Sequence, residues 1–234
     1  IDALKKIADD VVVNKENLGF AKGNNIGCHY AIEKYKPVFL CVINNDTLIT
    51  SSAFLETIKK EYEKYHFDMM GPKILTSNGE SVNPFPVYKK TTEIKKAIRK
   101  AKVLISIYNN SVLRVLLNNY IKLKGRLIKR TPITNGNETK TGVALHGCAI
   151  IFSNKYYEKY NDIFFDDTFL FHEEEFLYYR MKKDNLISLY SSELEIFHKE
   201  GSSLDNQFKD QDYKKIIFKN KYIIDSLEKL LKIM

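Results

Sequence analysis

The chain has 234 residues, 44% of them hydrophobic, enough to bury a full core as one domain carrying an insertion. No apolar run approaches the roughly 20 residues of a membrane-spanning helix. The net charge of +8 is uneven: residues 89–130 hold thirteen Lys/Arg against one acid, Glu93, a local charge of +12 in an otherwise mildly acidic chain. That distribution points to an anionic surface as partner for the insert alone. The three cysteines, Cys28, Cys41 and Cys148, lack metal-ligand spacing. Cys41 and Cys148 lie in apolar runs and are expected to be buried, reduced thiols of a cytoplasmic protein.

In chain order, residues 1–9 read as the end of a helix and Val11-Val12-Val13 as a short strand. A Gly- and Asn-rich loop follows over 17–25, then a helix over 26–35 that stops before Pro37. The apolar run 38–43 predicts a strand buried on both faces, as in a parallel sheet. A helix is expected near 52–65, with Phe54, Leu55, Ile58 and Tyr62 on one face. A strand over 67–75 and a turn at Asn78-Gly79 come next. The basic insert, 89–130, has helical apolar spacing, and 131–142 is loop. A strand over 143–152 is interrupted by His146-Gly147-Cys148. Helices near 154–160 and 173–183, a strand over 187–197 and a helix over 210–234 complete the chain. This alternation predicts an α/β fold with a mostly parallel sheet flanked by helices.

Four stretches carry candidate chemistry. In Asn17-x-Gly19-x-x-x-Gly23-x-Asn25, glycines and backbone N–H groups at a helix start allow close approach of an anion or ribose. Asn44-Asn45-Asp46-Thr47 falls at the carboxyl end of the 38–43 strand, where open α/β sheets bind ligands. A carboxylate there can hold a hard divalent cation, and the cation a diphosphate. The same residues also serve simply to turn a chain and cap the next helix. Glu173-Glu174-Glu175 follow the apolar run Phe169-Leu170-Phe171. The helix dipole accounts for acids in a first turn, and emergence from an apolar core accounts for a general base. His198 ends a strand before Gly201-Ser202-Ser203, a place for a metal ligand or for an ordinary histidine.

These pieces, together with Leu145-His146-Gly147-Cys148-Ala149 and Phe165-Asp166-Asp167, span residues 11–203 in order. The series resembles the family 2 glycosyltransferases of GT-A fold, especially the bacterial rhamnosyltransferase-like branch that builds surface polysaccharides. The resemblance implies an inverting transfer of a sugar from a nucleotide-diphosphate sugar to a hydroxyl of a glycan or lipid-linked acceptor. Asp46 would bind Mn²⁺ or Mg²⁺ beneath the donor diphosphate, with His198 completing the metal site. Glu174 or Glu173 would be the catalytic base. Asn17, Gly19, Gly23, Asn25, Asn44, Asn45, Asp46, Gly147 and Cys148 would contact the donor, Gly147-Cys148 lining the sugar and acceptor pocket.

The implied organisation is one GT-A domain. It comprises a nucleotide-sugar-binding half (1–88), a basic helical insertion with its loop (89–140) and an acceptor and catalytic-base half (141–234). Three departures stand out: Asn44 where many relatives have Asp, Glu as the second acid, and no counterpart of the family's first strand and helix upstream of Ile1. The missing first strand and Asn44 favour a rival reading, a catalytically degenerate protein that holds a sugar nucleotide or a partner. A nucleic-acid-binding reading draws on a pI of about 9.1. Against it, the basic residues interleave with Val103, Leu104, Ile105, Leu116 and Leu117 rather than with stacking aromatics. The insert is expected either to lie on the inner face of an anionic membrane or to pack on the body as a solvated helical pair.

Overall fold

The computed structural model describes residues 2, 4–77, 79, 81–125, 137–199, 208 and 211–234. Its first half contains α1 (Gly19–Tyr35), β1 (Phe39–Ile43), β2 (Thr47–Ile49), α2 (Phe54–Tyr65) and β3 (Met69–Thr76). The insertion forms α3 (Thr91–Asn109) and α4 (Ser111–Gly125). Then come β4 (Lys140–Thr141), β5 (Ala149–Ser153), α5 (Asn154–Lys159), α6 (Glu173–Lys183), β6 (Ser188–His198) and α7 (Asp212–Leu230).

The six strands form one open sheet in the order β1-β5-β3-β6-β2, with β4 also paired to β6. The sheet is mixed. Only β3 and β6 run parallel, while β1·β5, β3·β5, β2·β6 and β4·β6 are antiparallel. The expectation of a mostly parallel sheet is therefore corrected. Alternating strands and helices give parallel neighbours only when every crossover returns the chain to the same end of the sheet. Here β5 follows the helical insertion, enters from the opposite end and slots between β1 and β3.

That arrangement also reassigns the doubly buried strand. Every residue of β5 is buried. β1 sits at the sheet edge with Leu40 and Val42 inward, Cys41 exposed and Val38 61% exposed. An apolar run reports hydrophobicity, not rank within a sheet, so the expectation of Cys41 buried fails while Cys28 and Cys148 are buried.

Alternation along the strands divides the core in two. Leu40, Met69, Ile150, Phe152 and Tyr190 meet Ala21 of α1, Tyr156 of α5 and Leu177 of α6 on one face. Met70, Ile74, Ile151, Leu189 and Ile196 meet Phe54 and Ile58 of α2 on the other. The result is a helix–sheet–helix sandwich. A third cluster joins Ile94 and Ile98 of α3 to Phe176 of α6 and to Leu227 and Leu230 of α7, which fixes the insertion to the body.

Other segments depart from their sequence reading. Leu4–Lys6 is a single 3₁₀ turn. Val11-Val12-Val13 forms no strand: Val12 and Val13 are 45% and 56% exposed, because β-branched residues make a strand only beside a partner. Helix α1 starts at Gly19, so most of the expected loop is helical. Of the interrupted strand expected over 143–152, the part after His146-Gly147-Cys148 forms as β5, while before it only a bridge from Ala144 to Phe85 forms. Gly79, at φ +73°, donates its N–H to the Thr76 carbonyl at 2.9 Å. Asn78, Gly201, Ser202, Ser203 and residues 126–136 lie outside the described residues. Among the described residues no helix is long and apolar enough to cross a membrane.

Candidate active site

The pairing of β2 with β6 sets Thr47 opposite His198. Asp46 therefore lands beside the end of β6, where its carbonyl accepts the Lys199 N–H at 2.9 Å. Asp46 Oδ1 lies 3.1 Å from His198 Nε2 across 152 residues of sequence. Their side chains are 27% and 12% exposed, reachable yet sheltered. The two candidate metal ligands are thus neighbours. Asn44 extends the β1–β5 ladder by donating its N–H to the Cys148 carbonyl at 2.8 Å, whereas Asn45 is exposed at the turn.

His146 stands next to this pair, its ring centroid 5.9 Å from that of His198. Its backbone N–H donates to Asn83 Oδ1 at 2.7 Å, and its Nδ1 accepts the Cys148 N–H at 3.2 Å. Acceptance at Nδ1 places the proton of a neutral ring on Nε2. Burial pushes the Cys148 thiol up to about 12, with Asp46 and Glu174 adding to the effect. Cys148 is therefore no nucleophile at neutral pH and serves through its backbone.

The three acids at the start of α6 have three different surroundings. Glu174 Oε1 accepts the Gly147 N–H at 3.0 Å. A Cβ at residue 147 would sit 3.0 Å from that same oxygen, so glycine there leaves room for the contact. Glu173 is only 7% exposed and its Oε1 has no hydrogen-bond partner. Burial, followed by the neighbouring Glu174 charge, pushes its carboxyl up to about 8. Glu175 is buried against His172 Nδ1 at 3.1 Å, and burial raises it as well. Phe171 and His172 both adopt positive φ, 73° and 70°, just before the acids. For a bulky residue such as Phe171 this costs on the order of 1–3 kcal/mol, and strain of that kind concentrates at functional sites.

A cavity of about 470 Å³ brings most of these groups together. Phe20, Asn44, Phe85, His146, Gly147 and Cys148 form one wall, and Leu170 to Glu174 with Lys219 and Ile223 of α7 form the other. Asp46 and His198 are not in the lining itself, and His198 neighbours it through His146. A second cavity of about 410 Å³ lies beside α6 and the chain's last residues. Its Arg180 is tied to Tyr156 and to the Asp162 and Ile163 carbonyls, and its Asp184 to Tyr160 and Lys159. The first cavity has the poised groups.

The 17–25 segment is built differently from an anion cradle. The Gly19 N–H is taken by Asn17 Oδ1 at 3.0 Å and the Phe20 N–H by the Phe169 carbonyl at 2.8 Å. Gly23 lies within α1, in a groove beside β1. Asn25 is buried, its amide giving to the Phe164 carbonyl at 2.9 Å and accepting the Phe164 N–H at 2.8 Å. Asn25 is thus tied into the core, Gly23 is not in the cavity lining, and the segment reaches the cavity through Phe20. Sequence reasoning gave no role to Phe20, Phe85, His146 or Lys219. His146 lay inside a quoted motif, while Lys219 carries no signal in a helix of otherwise ordinary pattern.

Among the described residues no group of three or more His, Cys, Asp or Glu side chains is gathered as a metal shell. The Asp46–His198 pair nevertheless has the donor chemistry of a Mg²⁺ or Mn²⁺ site in which substrate phosphate and water supply the remaining ligands. Fold and site together define an α/β protein with an open mixed sheet, flanked by helices, and a carboxylate-lined cleft beside a carboxylate–histidine pair. No family model matches the chain, and no curated protein matches it.

Proposed function

We propose that the protein is an inverting glycosyltransferase of the GT-A, family 2 type. It moves a sugar from a nucleotide-diphosphate sugar to a hydroxyl of a glycan or lipid-linked acceptor, in bacterial surface polysaccharide synthesis at the cytoplasmic side. The observation that supports this best is Glu174: a carboxylate on a cavity wall, held through one oxygen by the Gly147 N–H, with its second oxygen left for a substrate.

In this reading Glu174 Oε2 takes the proton of the acceptor hydroxyl as its oxygen attacks the anomeric carbon, and the diphosphate leaves from the opposite side. Base catalysis of this kind contributes on the order of 10²–10⁴-fold. Fixing the carboxylate against Gly147 removes the cost of orienting it during attack. Phe20, Phe85 and Leu170 make an apolar lining that strengthens charge interactions within the cleft. Asp46 and His198 would hold Mg²⁺ or Mn²⁺, which when bound neutralises charge developing on the departing diphosphate.

Titration of UDP and of dTDP by calorimetry, with and without Mn²⁺, tests the donor side. Asp46→Ala removes a ligand but no core atom, so the expected result is loss of metal-dependent binding with an unchanged melting temperature. Metal-dependent affinity that survives the substitution would overturn the role of Asp46. Wild-type binding without turnover on a donor panel would instead favour the degenerate binding protein.

A further inference from the structure

A surface helix of a globular protein turns its apolar side inward. The first helix of the insertion does so: Ile94, Ile98 and Ala101 of α3 are buried, the two isoleucines against Leu227 and Leu230 of α7. The second helix is reversed. Val112, Leu113, Val115, Leu116 and Tyr120 of α4 are between 45% and 66% exposed. At helical spacing they share one arc of the helix. Arg114, on the opposite arc, turns inward with its guanidinium 4.2 Å from the centroid of the Tyr213 ring. The charged side chain packs on the protein and the apolar ones face out.

We propose that this outward face of α4 is a docking surface for an anionic lipid membrane. The charges around it select that occupant. Lys95, Lys96, Arg99 and Lys100 of the adjoining α3 are exposed and have no acidic partner among the described residues. Glu93, the one acid of residues 89–130, is spent on the Lys89 and Lys90 backbone N–H groups at 2.9 and 3.1 Å. An apolar strip among unopposed cations has the chemistry of a helix lying in an anionic interface. A second copy offering the same face would set cation against cation. The inference does not rest on the transferase chemistry.

The chain has no tryptophan, so Leu116→Trp introduces a single reporter. With phosphatidylcholine vesicles carrying about one-third phosphatidylglycerol, its emission is expected to shift to the blue at low salt. The shift should shrink but not vanish as salt rises, since the apolar contact is not screened. A reporter on the opposite side of the sheet, Glu63→Trp on α2, should not respond. Val112→Glu with Leu116→Glu should lower vesicle co-sedimentation at least about tenfold while the melting temperature stays near that of the parent, because both side chains are exposed. Three results would overturn the proposal: no shift with anionic vesicles, an equal shift with neutral ones, or a blue emission without vesicles accompanied by a doubled mass in light scattering. The last would assign the face to a second copy of the chain.

Discussion

Glu173 and Glu174 are chain neighbours, yet the fold gives them opposite environments. Both border the cavity, but Glu174 is oriented by Gly147, while Glu173 is only 7% exposed and has an unpartnered oxygen. If Glu174 is the base, Glu174→Gln should lower kcat by at least about tenfold and leave donor affinity nearly unchanged, since a base acts mainly in the transition state. Glu173→Gln should be far milder in the same steady-state assay; the reverse order would exchange the roles. Glu173 makes a separate prediction about pH. Its carboxyl is raised from 4.5 to about 8, so in that window the folded chain holds a proton that the unfolded chain has released. The stability it contributes is present below 4.5 and declines as pH climbs towards 8. Glutamine mimics the protonated form. Melting temperatures measured across this window should therefore fall less steeply for Glu173→Gln than for the parent, and identical slopes would count against a buried, protonated Glu173. The acids themselves were visible in the sequence, but the choice between them was not. It depends on the backbone of Gly147, which the chain's order alone does not place against α6.

Elements were legible where periodicity was long and uninterrupted, as in α2, α3, α6, β6 and α7. Two failures have physical causes at this scale. Helix α1 absorbed glycines and asparagines of weak helix propensity because Phe20 and Asn25 fasten it to the 164–169 segment by tertiary bonds that propensity cannot see. β1 and β5 are apolar runs of equal length, and only the neighbours that enclose β5 distinguish centre from edge. The fastening of α1 makes its own prediction. Gly19 has φ +81°, and a Cβ there would lie 2.2 Å from the Phe169 carbonyl oxygen. Gly19→Ala should destabilise by about 2–4 kcal/mol in urea unfolding, combining left-handed strain with overpacking. Gly23→Ala, where a Cβ meets nothing within 4 Å, should instead be neutral or mildly stabilising in its helix. Equal effects at both positions would contradict the close approach.

At the scale of the whole molecule, α7 links the insertion to the cleft. Its Leu227 and Leu230 pack on α3 and α6, Ser226 Oγ donates to the Leu170 carbonyl at 3.1 Å, and Lys219 and Ile223 line the cavity. This link was invisible in the sequence, because the pairing of α7 with α3 joins segments far apart in the chain. Leu227→Ala should cost about 2–5 kcal/mol as a buried large-to-small change. It should also weaken substrate binding in the cleft, although Leu227 is not in the cavity lining, because Lys219 and Ile223 sit on the same helix. A calorimetric affinity for nucleotide diphosphate equal to that of the parent, in a variant shown to be destabilised, would separate α7 packing from the site.

The strand that carries Asp46 to His198 is also thinly secured in the sheet. β2 has three residues, pairs on one side only, and leaves Leu48 and Ile49 nearly half exposed. Native proteins open locally where such buried support is thin, long before they unfold as a whole. Separation of β2 from the end of β6 would part Asp46 from His198 without disturbing β5 or β3. A ligand that bridges the two side chains binds only the closed ladder and so stabilises it by mass action. Amide hydrogen exchange at Leu48, opposite Phe197 in the ladder, is then a gauge of occupancy: a ligand at the cleft slows it there, while exchange in the enclosed β5 stays as it was.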